Sequence, residues 1–330
     1  MGQMGGTLTG QSLRHKVNQR FFMAVSNWES GTIQCPAKIN LILRIGPRRR
    51  DSYHDIASLM LKLQWGDLLR INVRPSANVE IKLDCPGLSD LEPSRNLAYR
   101  AAELFLKNFK LSLRVDLSIE KWTPTEAGLG GGSSDAASVL RVLRDFLLQT
   151  RPHLYSKSAI RKRLLNMASQ LGSDVAFLVQ EEAAAWCQGR GDKMTPVRVL
   201  PSWPLVLIFP KSKISTAWAY RELDRFRGPK FRQDLQWEIM PTWLKNSKGI
   251  CPIPAVENDF LNLALRAYEE LQLCLEALTG SGALAGGMTG SGSCFFGIYR
   301  DQAEAEDSAV RLRASGWEAI ATQTEAGAKK

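Results

Sequence analysis

The first part of the chain alternates apolar and polar residues in the way that is typical of β-strands. A run that starts near Thr32 has this pattern, and Gly46-Pro47 ends it. Residues 56–73 predict further strands, interrupted at Trp65-Gly66-Asp67, and residues 113–119 alternate again. The apolar residues at every second position of the first run are Ile39, Leu41, Leu43 and Ile45.

Other segments repeat their apolar residues with the period of an α-helix. Short strands are predicted among them, at residues 205–209 and 295–299. Strands and helices are therefore mixed without a regular alternation of the two, which indicates an α+β fold of two lobes. The segments with the helical period are residues 96–109, 136–147, 158–171, 216–223, 257–278 and 302–314.

Changes in composition and pattern along the sequence divide the chain into an extension and two domains. Residues 1–22 contain no acidic residue and no apolar core of the kind that a secretory signal needs. We therefore expect residues 1–31 to form a disordered extension. A short organellar targeting segment, or an over-long start with Met23 as the natural beginning, stays open. The two domains are then residues 32–195 and residues 196–330.

Composition and charge narrow the classes of protein. Hydrophobic residues make up 44% of the 330 residues and charged residues 23%, as in soluble globular proteins, so the chain is not mainly disordered. No apolar run reaches the roughly 18 residues that a membrane span needs, which excludes an integral membrane protein. The 43 Lys and Arg against 33 Asp and Glu give a net charge of +10. This excess favours anionic partners such as nucleotides, nucleic acid or phosphorylated metabolites.

The cysteines and histidines do not have the spacing that is typical of metal sites. The six cysteines include no C-x-x-C pair, and the three histidines include no H-E-x-x-H motif. We therefore expect reduced thiols and no metal held by the protein alone. The chemistry of the chain must then depend mainly on carboxylates, lysines, backbone amides and hydroxyls.

The strongest chemical signal is a glycine loop, residues 128–135, between a predicted strand and a strongly periodic helix. Only glycine lets a chain turn this tightly and present successive N–H groups to an oxygen-rich anion, and a helix N-terminus adds its own amides. Ser133 and Ser134 can supply hydroxyls to phosphate or to Mg²⁺. The P-loop lysine is absent, and Ser133 stands at the third glycine of the dinucleotide fingerprint. A phosphate loop of another type is therefore favoured over a flexible hinge.

Two segments have a weaker chemical signal. Residues 286–293 repeat the pattern of glycines and hydroxyls, which suits either a turn or a contact to phosphate or substrate. Asp174 follows a predicted helix end beside an apolar stretch, where an aspartate often serves as a cap or a solvated turn residue. Neither segment decides a function without further observations.

Two pairs of polar residues near the start of the first domain also fit a site. Lys38 and Asn40 point to the same side of a strand, either into a site or on an exposed edge. Tyr53 and His54 follow a run of arginines and could stack on a base and hydrogen-bond its edge, although core tyrosines are as common. Both pairs are candidates for binding a substrate.

Together, these segments resemble the GHMP kinase superfamily, from about Ile33 to Thr322. The glycine loop alone indicates only the superfamily. The P-A-K-I-N-L and Y-H-D segments point to the branch whose acceptor is the cytidine diphosphate conjugate of methylerythritol. The motifs that occur in the family's order are residues 36–41, 52–55, 128–135, 171–175, 189–191 and 288–294.

The resemblance implies a two-lobed GHMP kinase fold, with an N-terminal ribosomal-S5-like nucleotide-binding lobe and a C-terminal α/β sandwich lobe. ATP, with Mg²⁺, would phosphorylate the 2-hydroxyl of the acceptor in the cleft between the lobes, in the non-mevalonate isoprenoid pathway. Asp174 matches the catalytic base of the family, and Lys38 matches the lysine beside it. Phosphoryl transfer needs positioning, charge neutralisation and an acceptor for the hydroxyl proton, which these residues would supply.

The same resemblance implies the other site residues. Tyr53 and Tyr220 would lie on either side of the cytosine, with His54 at its edge. Those implied for the substrate are Asn40, Tyr53, His54, Asp174, Tyr220, Gly290, Ser291 and Gly292. Those implied for ATP are Asn96, Leu97 and Lys121 at the adenine, and Ala127, Gly128, Leu129, Gly130, Gly131, Gly132, Ser133 and Ser134 around the triphosphate.

Three features depart from the family pattern. Thr125-Glu126 stands where the family has a hydrophobic residue and a glycine, so we expect Glu126 either to turn outward or to alter nucleotide affinity. Arg48 to Arg50 is more basic than the usual loop and could steer an anionic substrate. Arg227 to Ile250 is basic, irregular and contains tryptophan, which indicates a surface insertion without a family role.

Three other functions stay open. Another GHMP small-molecule kinase, of the homoserine or mevalonate type, would not need the Tyr53-His54 pair. A basic nucleic-acid-binding protein fits the net charge, but no RNP-type aromatic motif, zinc knuckle or arginine-rich tail supports it. A dinucleotide-dependent oxidoreductase is disfavoured by the lack of βαβ periodicity. We expect a small-molecule substrate, no nucleic-acid or membrane partner, and a monomer or weak homodimer. The expected location is cytoplasmic, or a plastid if the extension is a targeting segment.

Overall fold

Two β-sheets and the helices packed on them form the fold. The structure is a computed structural model that describes residues 27–88, 92–197, 200–228, 237–245 and 255–327. The strands are β1 (Trp28–Glu29), β2 (Ile33–Arg48), β3 (His54–Pro75), β4 (Glu80–Asp84), β5 (Leu113–Glu120), β6 (Ala184–Gly189), β7 (Lys193–Pro196), β8 (Pro204–Phe209), β9 (Glu257–Asn258), β10 (Ala285–Met288), β11 (Phe295–Ile298) and β12 (Glu318–Gln323). The helices are α1 (Leu97–Phe109), α2 (Gly131–Thr150), α3 (Lys157–Leu171), α4 (Ser173–Leu178), α5 (Thr216–Arg227), α6 (Thr242–Lys245), α7 (Leu261–Ala267), α8 (Glu269–Gly280) and α9 (Gln302–Ala314).

Within the described residues, the first sheet has eight strands and the second has four. β3 is the centre of the first sheet, because β2 runs antiparallel along it while β6 and β5 pair with the two halves of its other side. β4 pairs with β5, β7 with β6, β1 with β3, and β9 with β2. The second sheet has the order β10-β11-β8-β12, all antiparallel. The predicted α+β class is confirmed.

The apolar core lies in two layers. One cluster fills the space between the two sheets, with Ile39 of β2 and Leu207 of β8 among its fully buried members. The other covers the opposite faces, where the helices pack, and includes Phe105 of α1 and Phe146 of α2. Each buried phenylalanine of this kind contributes about 1.5–3 kcal/mol to folding by leaving water. The first sheet is thus covered on both faces, which holds its polar residues in fixed positions.

A β-bulge in β2 splits the predicted apolar face of this strand. The pairing with β3 shifts between Asn40 and Ile42, so the alternation of sides changes there. Leu41 packs between the sheets, whereas Leu43 belongs to the cluster on the helical side. Lys38 lies before the bulge and donates its backbone N–H to the carbonyl of Leu129, which anchors the glycine loop to β2.

β3 runs without a break through Trp65-Gly66-Asp67, so the predicted interruption is wrong. Pro36 is the partner of Gly66 across the strand pair. A Cβ added to Gly66 would lie 1.9 Å from the carbonyl oxygen of Cys35, a distance that no side chain could occupy. The glycine here allows β2 to approach closely, which is the other common reason for glycine inside a strand.

Residues 257–278, predicted as one helix, contain a short strand and two helices. β9 comes first and pairs in parallel with β2. Asn258 then donates its side-chain amide to the carbonyls of Met288 and Gly290. α7 ends at Ala267, and the extended backbone of Tyr268 (φ −137°) separates it from α8. β9 follows residue 196 in sequence yet belongs to the first sheet, and the domain boundary at residue 196 stays a prediction.

The predicted extension is shorter than expected at its C-terminal end. Residues 27–31 are described, and Trp28 of β1 pairs with Val73 while its Nε1 donates to Gln149 Oε1 at 2.9 Å. The prediction of disorder is therefore wrong for this part of residues 1–31. Residues 1–26 lie outside the described residues.

The described part of the predicted surface insertion, residues 237–245, packs against the core. Leu244 of α6 is buried, and the Trp237 ring occupies the space where a Cβ on Gly46 would lie, 2.5 Å away. The Arg44 guanidinium donates to the carbonyls of Trp237 and Ile239. Residues 237–245 are therefore part of the packed structure, and the remaining residues of this segment that follow Gly228 lie outside the described residues.

Candidate active site

The glycine loop places the N-terminus of α2 at a cleft that is also lined by β2, β3, α5 and the β10–β11 turn. Gly130 is the N-cap and has φ 69°, and its carbonyl accepts the first helical hydrogen bond, from the N–H of Ser134. The N–H groups of Gly131, Gly132 and Ser133 therefore have no partner within the helix. Such amides and the positive end of a helix dipole favour anions, and binding of phosphate by this loop stays a prediction.

The two glycine-rich segments of the sequence pack on each other. Gly128 has φ 75°, and a Cβ added there would lie 2.2 Å from the carbonyl oxygen of Thr289. Thr289 is fully buried, and its Oγ1 accepts the backbone N–H of Asn40 at 3.0 Å. The N–H of Cys294 adds a hydrogen bond to the carbonyl of Ala127. These contacts join the β10–β11 turn to the glycine loop and to β2.

Lys38 lies at the centre of this arrangement. Its Nζ donates to Asn40 Oδ1 at 2.7 Å and to the carbonyl of Gly128 at 2.8 Å. The same atom lies 3.7 Å from Oδ2 of Asp174, in the first turn of α4. The Lys38 side chain is 5% exposed and that of Asp174 is 32% exposed. The carboxylate therefore faces the cleft, while the ammonium lies behind it.

Asn40 is oriented by a chain of hydrogen bonds within the first sheet. Its Nδ2 donates to Ser58 Oγ at 2.8 Å, and that hydroxyl donates to the carbonyl of Ile42 at 2.7 Å. Asn40 and Lys38 share one side of β2, as predicted, and both are buried. The alternative of an exposed strand edge is thereby excluded.

Two adjoining cavities meet at Asp174. The first, of about 400 Å³, is lined by the glycine loop, and the second, of about 790 Å³, lies next to Tyr53. The residues that line both are Ile56, Asp174, Thr216 and Tyr220. The predicted residues that line the first cavity are Lys38, Asn40, Leu97, Lys121, Ala127, Gly128, Leu129, Gly130, Gly131, Gly132, Ser133, Asp174, Tyr220, Gly290 and Ser291. A carboxylate between two cavities can act on a group that passes from one to the other.

The second cavity contains one stacked aromatic pair and one cation–π pair. The rings of His54 and Tyr220 lie 4.9 Å apart at 26°, and His54 Nε2 lies 2.8 Å from Oδ1 of Asp224. Burial, with a smaller effect of Asp174, raises the pKa of the Tyr220 hydroxyl to about 12. Tyr53 is 54% exposed, and the guanidinium carbon of Arg190 lies 3.8 Å from its ring centroid. The structure brings Tyr53, His54 and Tyr220 together, and their placement around a cytosine stays a prediction.

Two buried carboxylates bind the charge of Lys121, and the adenine contact that the resemblance implies stays a prediction. Its ammonium forms ion pairs with Asp67 and, at 2.8 Å, with Asp135 Oδ2. Asp67 Oδ1 also accepts the backbone N–H groups of Trp122 and Thr123. Lys121 therefore lines the first cavity while its ammonium is paired with these two buried carboxylates.

Burial and the neighbouring charges shift the pKa values of Asp135 and Lys121 in this triad of Lys121, Asp67 and Asp135. Burial raises the pKa of Asp135 to about 7, and Asp67 adds to this rise, although Lys121 opposes it. Burial disfavours the charged form of Lys121, but the two carboxylates outweigh this and raise its pKa. Asp135 Oδ1 and the Thr123 hydroxyl are buried without a hydrogen-bond partner among the described residues. The triad is therefore held together by charge in a site of incomplete hydrogen bonding.

Three predicted site residues, Asn96 and Ser134 for ATP and Gly292 for the substrate, line neither of the two cavities. The Ser134 hydroxyl is fully buried and donates to the carbonyl of Pro36 at 2.7 Å, so Ser133 is the loop hydroxyl that lines the cavity. Asn96 caps α1, because its Oδ1 accepts the N–H of Ala98 at 2.8 Å. Helix caps of this kind compete with ligand contacts for the same oxygen. Gly292 donates its N–H to the carbonyl of Thr289 within the β10–β11 turn.

Glu126 lies at an unusual point of the loop. Its φ of 59° is in the left-handed region, which favours glycine, and its side chain is exposed and lines the first cavity. Its carboxylate makes no hydrogen bond or ion pair within the described part of the chain. The sequence predicts that Glu126 either turns outward or alters nucleotide affinity. The exposed side chain fits the first of these alternatives. Its effect on affinity stays a prediction.

The cleft could hold Mg²⁺ only with help from a ligand. In the described ranges, no three His, Cys, Asp or Glu residues lie close enough together to bind a metal ion. Mg²⁺ is commonly held by one or two carboxylates together with phosphate oxygens and water. Glu126 and Asp174 contribute carboxylates to the first cavity, and Ser133 contributes a hydroxyl. These oxygen donors fit a Mg²⁺ ion that is bound to nucleotide phosphates.

Sequence reasoning missed several residues that build the site. Asp67 and Asp135 hold Lys121, and Thr289 and Asn258 fix the β10–β11 turn. Asp135 and Thr289 lie inside the two glycine-rich motifs and could have been identified from them. Asp67 and Asn258 lie far from these motifs in sequence, and no local pattern distinguishes them from solvated turn residues.

Known families and proteins resemble this chain over most of its length. Residues 96–182 match the family model "GHMP kinases N terminal domain", and residues 255–316 match "GHMP kinases C terminal". The 4-diphosphocytidyl-2-C-methyl-D-erythritol kinase of Anaeromyxobacter dehalogenans (strain 2CP-C) is 39% identical over 283 residues. The match covers 84% of this chain and 83% of that protein.

Solved structures resemble it as well. A crystal structure of 4-(cytidine 5'-diphospho)-2C-methyl-D-erythritol kinase has a TM-score of 0.70 at 32% identity, covering 90% of this chain and 100% of its own. A crystal structure of L. major mevalonate kinase in complex with R-mevalonate has a TM-score of 0.63 at 12% identity, covering 91% and 97%. At 12% identity the second likeness concerns the fold alone. Among the described helices, none is both long and apolar enough to cross a membrane.

Proposed function

The chain belongs to the GHMP kinases and, within them, to the 4-diphosphocytidyl-2-C-methyl-D-erythritol kinase family, and we propose that it is an active kinase of this kind. In the proposed reaction the γ-phosphoryl group of ATP is transferred to the 2-hydroxyl of 4-diphosphocytidyl-2-C-methyl-D-erythritol. The product is the 2-phosphate, in the non-mevalonate isoprenoid pathway. The observation that carries the proposal is the position of Asp174, which lies beside Lys38 where two cavities meet. These are the first cavity, lined by the glycine loop, and the second, called the aromatic cavity below because Tyr53, His54 and Tyr220 line it.

The proposed reaction uses the two cavities for its two substrates. ATP occupies the first, with its phosphates on the amides at the N-terminus of α2. The acceptor occupies the second, with its cytosine near Tyr53, His54 and Tyr220. Bound in this way, the 2-hydroxyl and the γ-phosphorus meet at Asp174. Holding both substrates in one geometry supplies a large part of the rate enhancement in phosphoryl transfer.

Asp174 is the proposed general base. It accepts the proton of the 2-hydroxyl while the hydroxyl oxygen forms its bond to the γ-phosphorus and the bond to the β-phosphate oxygen breaks, which releases ADP. The Lys38 ammonium stabilises the negative charge that develops beside it. Asn40 directs Lys38 through their 2.7 Å hydrogen bond and lines the first cavity. Mg²⁺, when bound with the nucleotide, neutralises phosphate charge.

The aromatic cavity is the feature that favours this acceptor over homoserine or mevalonate. Small aliphatic acceptors offer no ring for Tyr53 and no edge for His54. The second cavity of about 790 Å³ is also large for them, whereas it suits a nucleotide conjugate. A cytoplasmic location, a monomer or weak homodimer and the absence of a nucleic-acid partner stay predictions of the sequence.

A test of the proposed function is an ADP-release assay with ATP, Mg²⁺ and 4-diphosphocytidyl-2-C-methyl-D-erythritol, run beside homoserine and mevalonate as rival acceptors. We expect turnover with the cytidylated acceptor alone. Turnover with a rival would keep the kinase activity and remove the assignment of the aromatic cavity to cytosine. No turnover with any of the three would contradict the proposal that the chain is an active kinase of this kind.

A further inference from the structure

The tips of two β-hairpins meet over the second cavity. The turn between β2 and β3 carries Tyr53, and the turn between β6 and β7 carries Arg190. The Arg190 guanidinium carbon lies 3.8 Å from the centroid of the Tyr53 ring, which is the distance of a stacked cation–π contact. The N–H groups of this guanidinium donate no hydrogen bond within the described part of the chain. The contact between the two tips is therefore a stack of two flat groups.

The backbone of each tip is fixed. The N–H of Arg49 donates to the carbonyl of Tyr53 at 2.7 Å, and Asp51 accepts the N–H of Tyr53 at 3.2 Å. The Arg49 guanidinium also pairs with Asp51 and Asp55, which flank Tyr53 in sequence. The turn therefore holds the Tyr53 backbone, but the ring is half exposed, so core packing does little to fix its rotamer.

The second tip is fixed to the helix that carries Asp174. Ser173 Oγ donates to the carbonyl of Arg190 at 2.6 Å, and the N–H of Arg190 donates to Asp192 at 2.9 Å. Gly191 has φ 92°, and a Cβ there would lie 3.0 Å from Cβ of Ser173, so the turn packs directly on the start of α4. The position of Arg190 is thereby set relative to Asp174.

We propose that Arg190 is a positioning residue for the acceptor: its guanidinium holds the Tyr53 ring in the orientation in which the free face of the ring stacks on the base. The inference rests on the proposed function, because it assumes that a pyrimidine binds beside Tyr53. Arginine suits this role since its planar group stacks on a ring face, which a lysine ammonium cannot do. The stack then links the base-binding end of the cavity to the reacting end through Ser173.

The proposal predicts which kinetic constant depends on Arg190. In Arg190→Ala the exposed Tyr53 ring becomes free to rotate. Part of the binding free energy of the substrate is then used to order the ring. We expect KM for the cytidylated acceptor to rise about two- to fivefold, the range of an exposed cation–π contact. Neither kcat nor KM for ATP should change, because Arg190 lines only the second cavity. Arg300→Ala, an exposed arginine before α9, is the matched control.

A double-mutant cycle separates positioning from a general structural role. In the Tyr53→Ala background, Arg190→Ala should have no further effect on acceptor KM, whereas in Tyr53→Phe it should keep its full effect. Arg190→Lys should give an acceptor KM between those of wild type and Arg190→Ala, since an ammonium keeps the cation–π attraction but not the planar stack. Additive effects in Tyr53→Ala, or wild-type behaviour of Arg190→Lys, would overturn the proposal. A lower KM in Arg190→Ala would also overturn it, because Arg190 would then occupy the place of the base.

Calorimetric titration with CDP distinguishes failure of this inference from failure of the proposed function. If wild-type protein binds CDP but does not turn over the cytidylated acceptor, the proposed function fails, and the positioning role is judged on the CDP affinities of the same variants. Affinity lost in Arg190→Ala and unchanged in Arg300→Ala supports it. CDP binding that is equal in wild type and Arg190→Ala, or absent from both, overturns it.

Discussion

The ammonium of Lys38 lies 3.7 Å from Oδ2 of Asp174 and is held there by hydrogen bonds to Asn40 and to the Gly128 carbonyl. Two neutral oxygens fix the direction of the cation without neutralising it. Its charge therefore acts on the carboxylate and on any group that reacts beside it. Such a preorganised cation stabilises developing negative charge without having to reorganise during the reaction.

Asp174→Asn should remove most of the turnover and leave the fold intact. Asparagine has nearly the same shape and keeps a contact to Lys38, but it cannot accept the hydroxyl proton. We expect kcat to fall about 10²- to 10⁴-fold, the usual contribution of a general base. The ADP-release assay measures this fall, and calorimetric titration with ADP should give an affinity close to that of the wild type.

Asp307→Asn provides the control for the loss of a carboxylate. Asp307 is exposed on α9 and lies outside both cavities, so its variant should retain wild-type kcat. A kcat for Asp174→Asn within about threefold of the control would refute the role of Asp174 as base. Loss of ADP binding together with activity would instead assign Asp174 to the structure of the cleft.

Two glycines of the same loop should respond differently to alanine. Gly128→Ala puts a Cβ 2.2 Å from the Thr289 carbonyl oxygen at a residue with φ 75°, so the two loops must separate. We expect a loss of more than about 2 kcal/mol in the free energy of unfolding. Gly132→Ala meets no atom within 4 Å and has no positive φ, so its stability should stay near that of the wild type. Urea unfolding of both variants measures the difference, and equal losses would contradict the packing of Gly128 on Thr289.

The sequence predicted the parts of the site that lie within continuous motifs. The glycine loop begins a long helix as its composition indicates, and Lys38 and Asn40 share one side of β2 because alternation along a strand is local. The family resemblance implied that Lys38 lies beside Asp174, whereas the meeting of both with Gly128 was not expected. Spacing along the chain could not have predicted it, since these residues come from three separate elements.

The parts that could not be predicted depend on contacts between distant segments. Lys121 looks like a free lysine at the end of β5, and its binding by Asp67 and Asp135 depends on how β3 and α2 pack beside it. Gly66 has the same local signal whether it ends a strand or admits a close neighbour. The bulge after Asn40 likewise follows from pairing with β3, which the pattern of one strand does not contain.

Glu126 should weaken nucleotide binding through its charge. It lines the first cavity with no cation paired to it among the described residues, so it repels the phosphates of ATP unless Mg²⁺ lies between them. Removing one such charge at a solvated site changes the binding free energy by about 1 kcal/mol, or roughly fivefold in affinity. We expect Glu126→Gln to bind Mg²⁺-free ADP more tightly by about this factor, as measured by calorimetric titration at low salt.

The salt dependence and a second substitution separate charge from backbone conformation. At about 1 M salt the difference between Glu126→Gln and wild type should largely disappear, because the charge is screened. Glu126→Gly removes the charge and also the strain at φ 59°, so it should match Glu126→Gln in affinity while differing in stability. Unchanged ADP affinity in Glu126→Gln at low salt would show that the carboxylate points away from the phosphates.

Asp135 should make stability depend on pH in the opposite sense to a salt-bridged surface carboxylate. Burial, with a smaller addition from Asp67, raises its pKa from the ordinary value of 3.8 to about 7 in the folded protein. Between these values the folded protein holds a proton that the unfolded chain has released. Its contribution to the free energy of unfolding is therefore largest below about pH 4 and is lost as the pH rises towards 7.

Urea unfolding of wild type and Asp135→Asn between pH 4.5 and 8 tests this sign. The difference in the free energy of unfolding, wild type minus variant, should fall as the pH rises to about 7 and stay constant above it. The amide introduced by Asp135→Asn does not titrate, so groups common to both proteins cancel. Asp307→Asn, which removes an exposed carboxylate, should give a nearly flat difference over the same range. A difference that stays flat across this range would mean that the ion pair with Lys121 offsets burial and that the pKa of Asp135 is not raised.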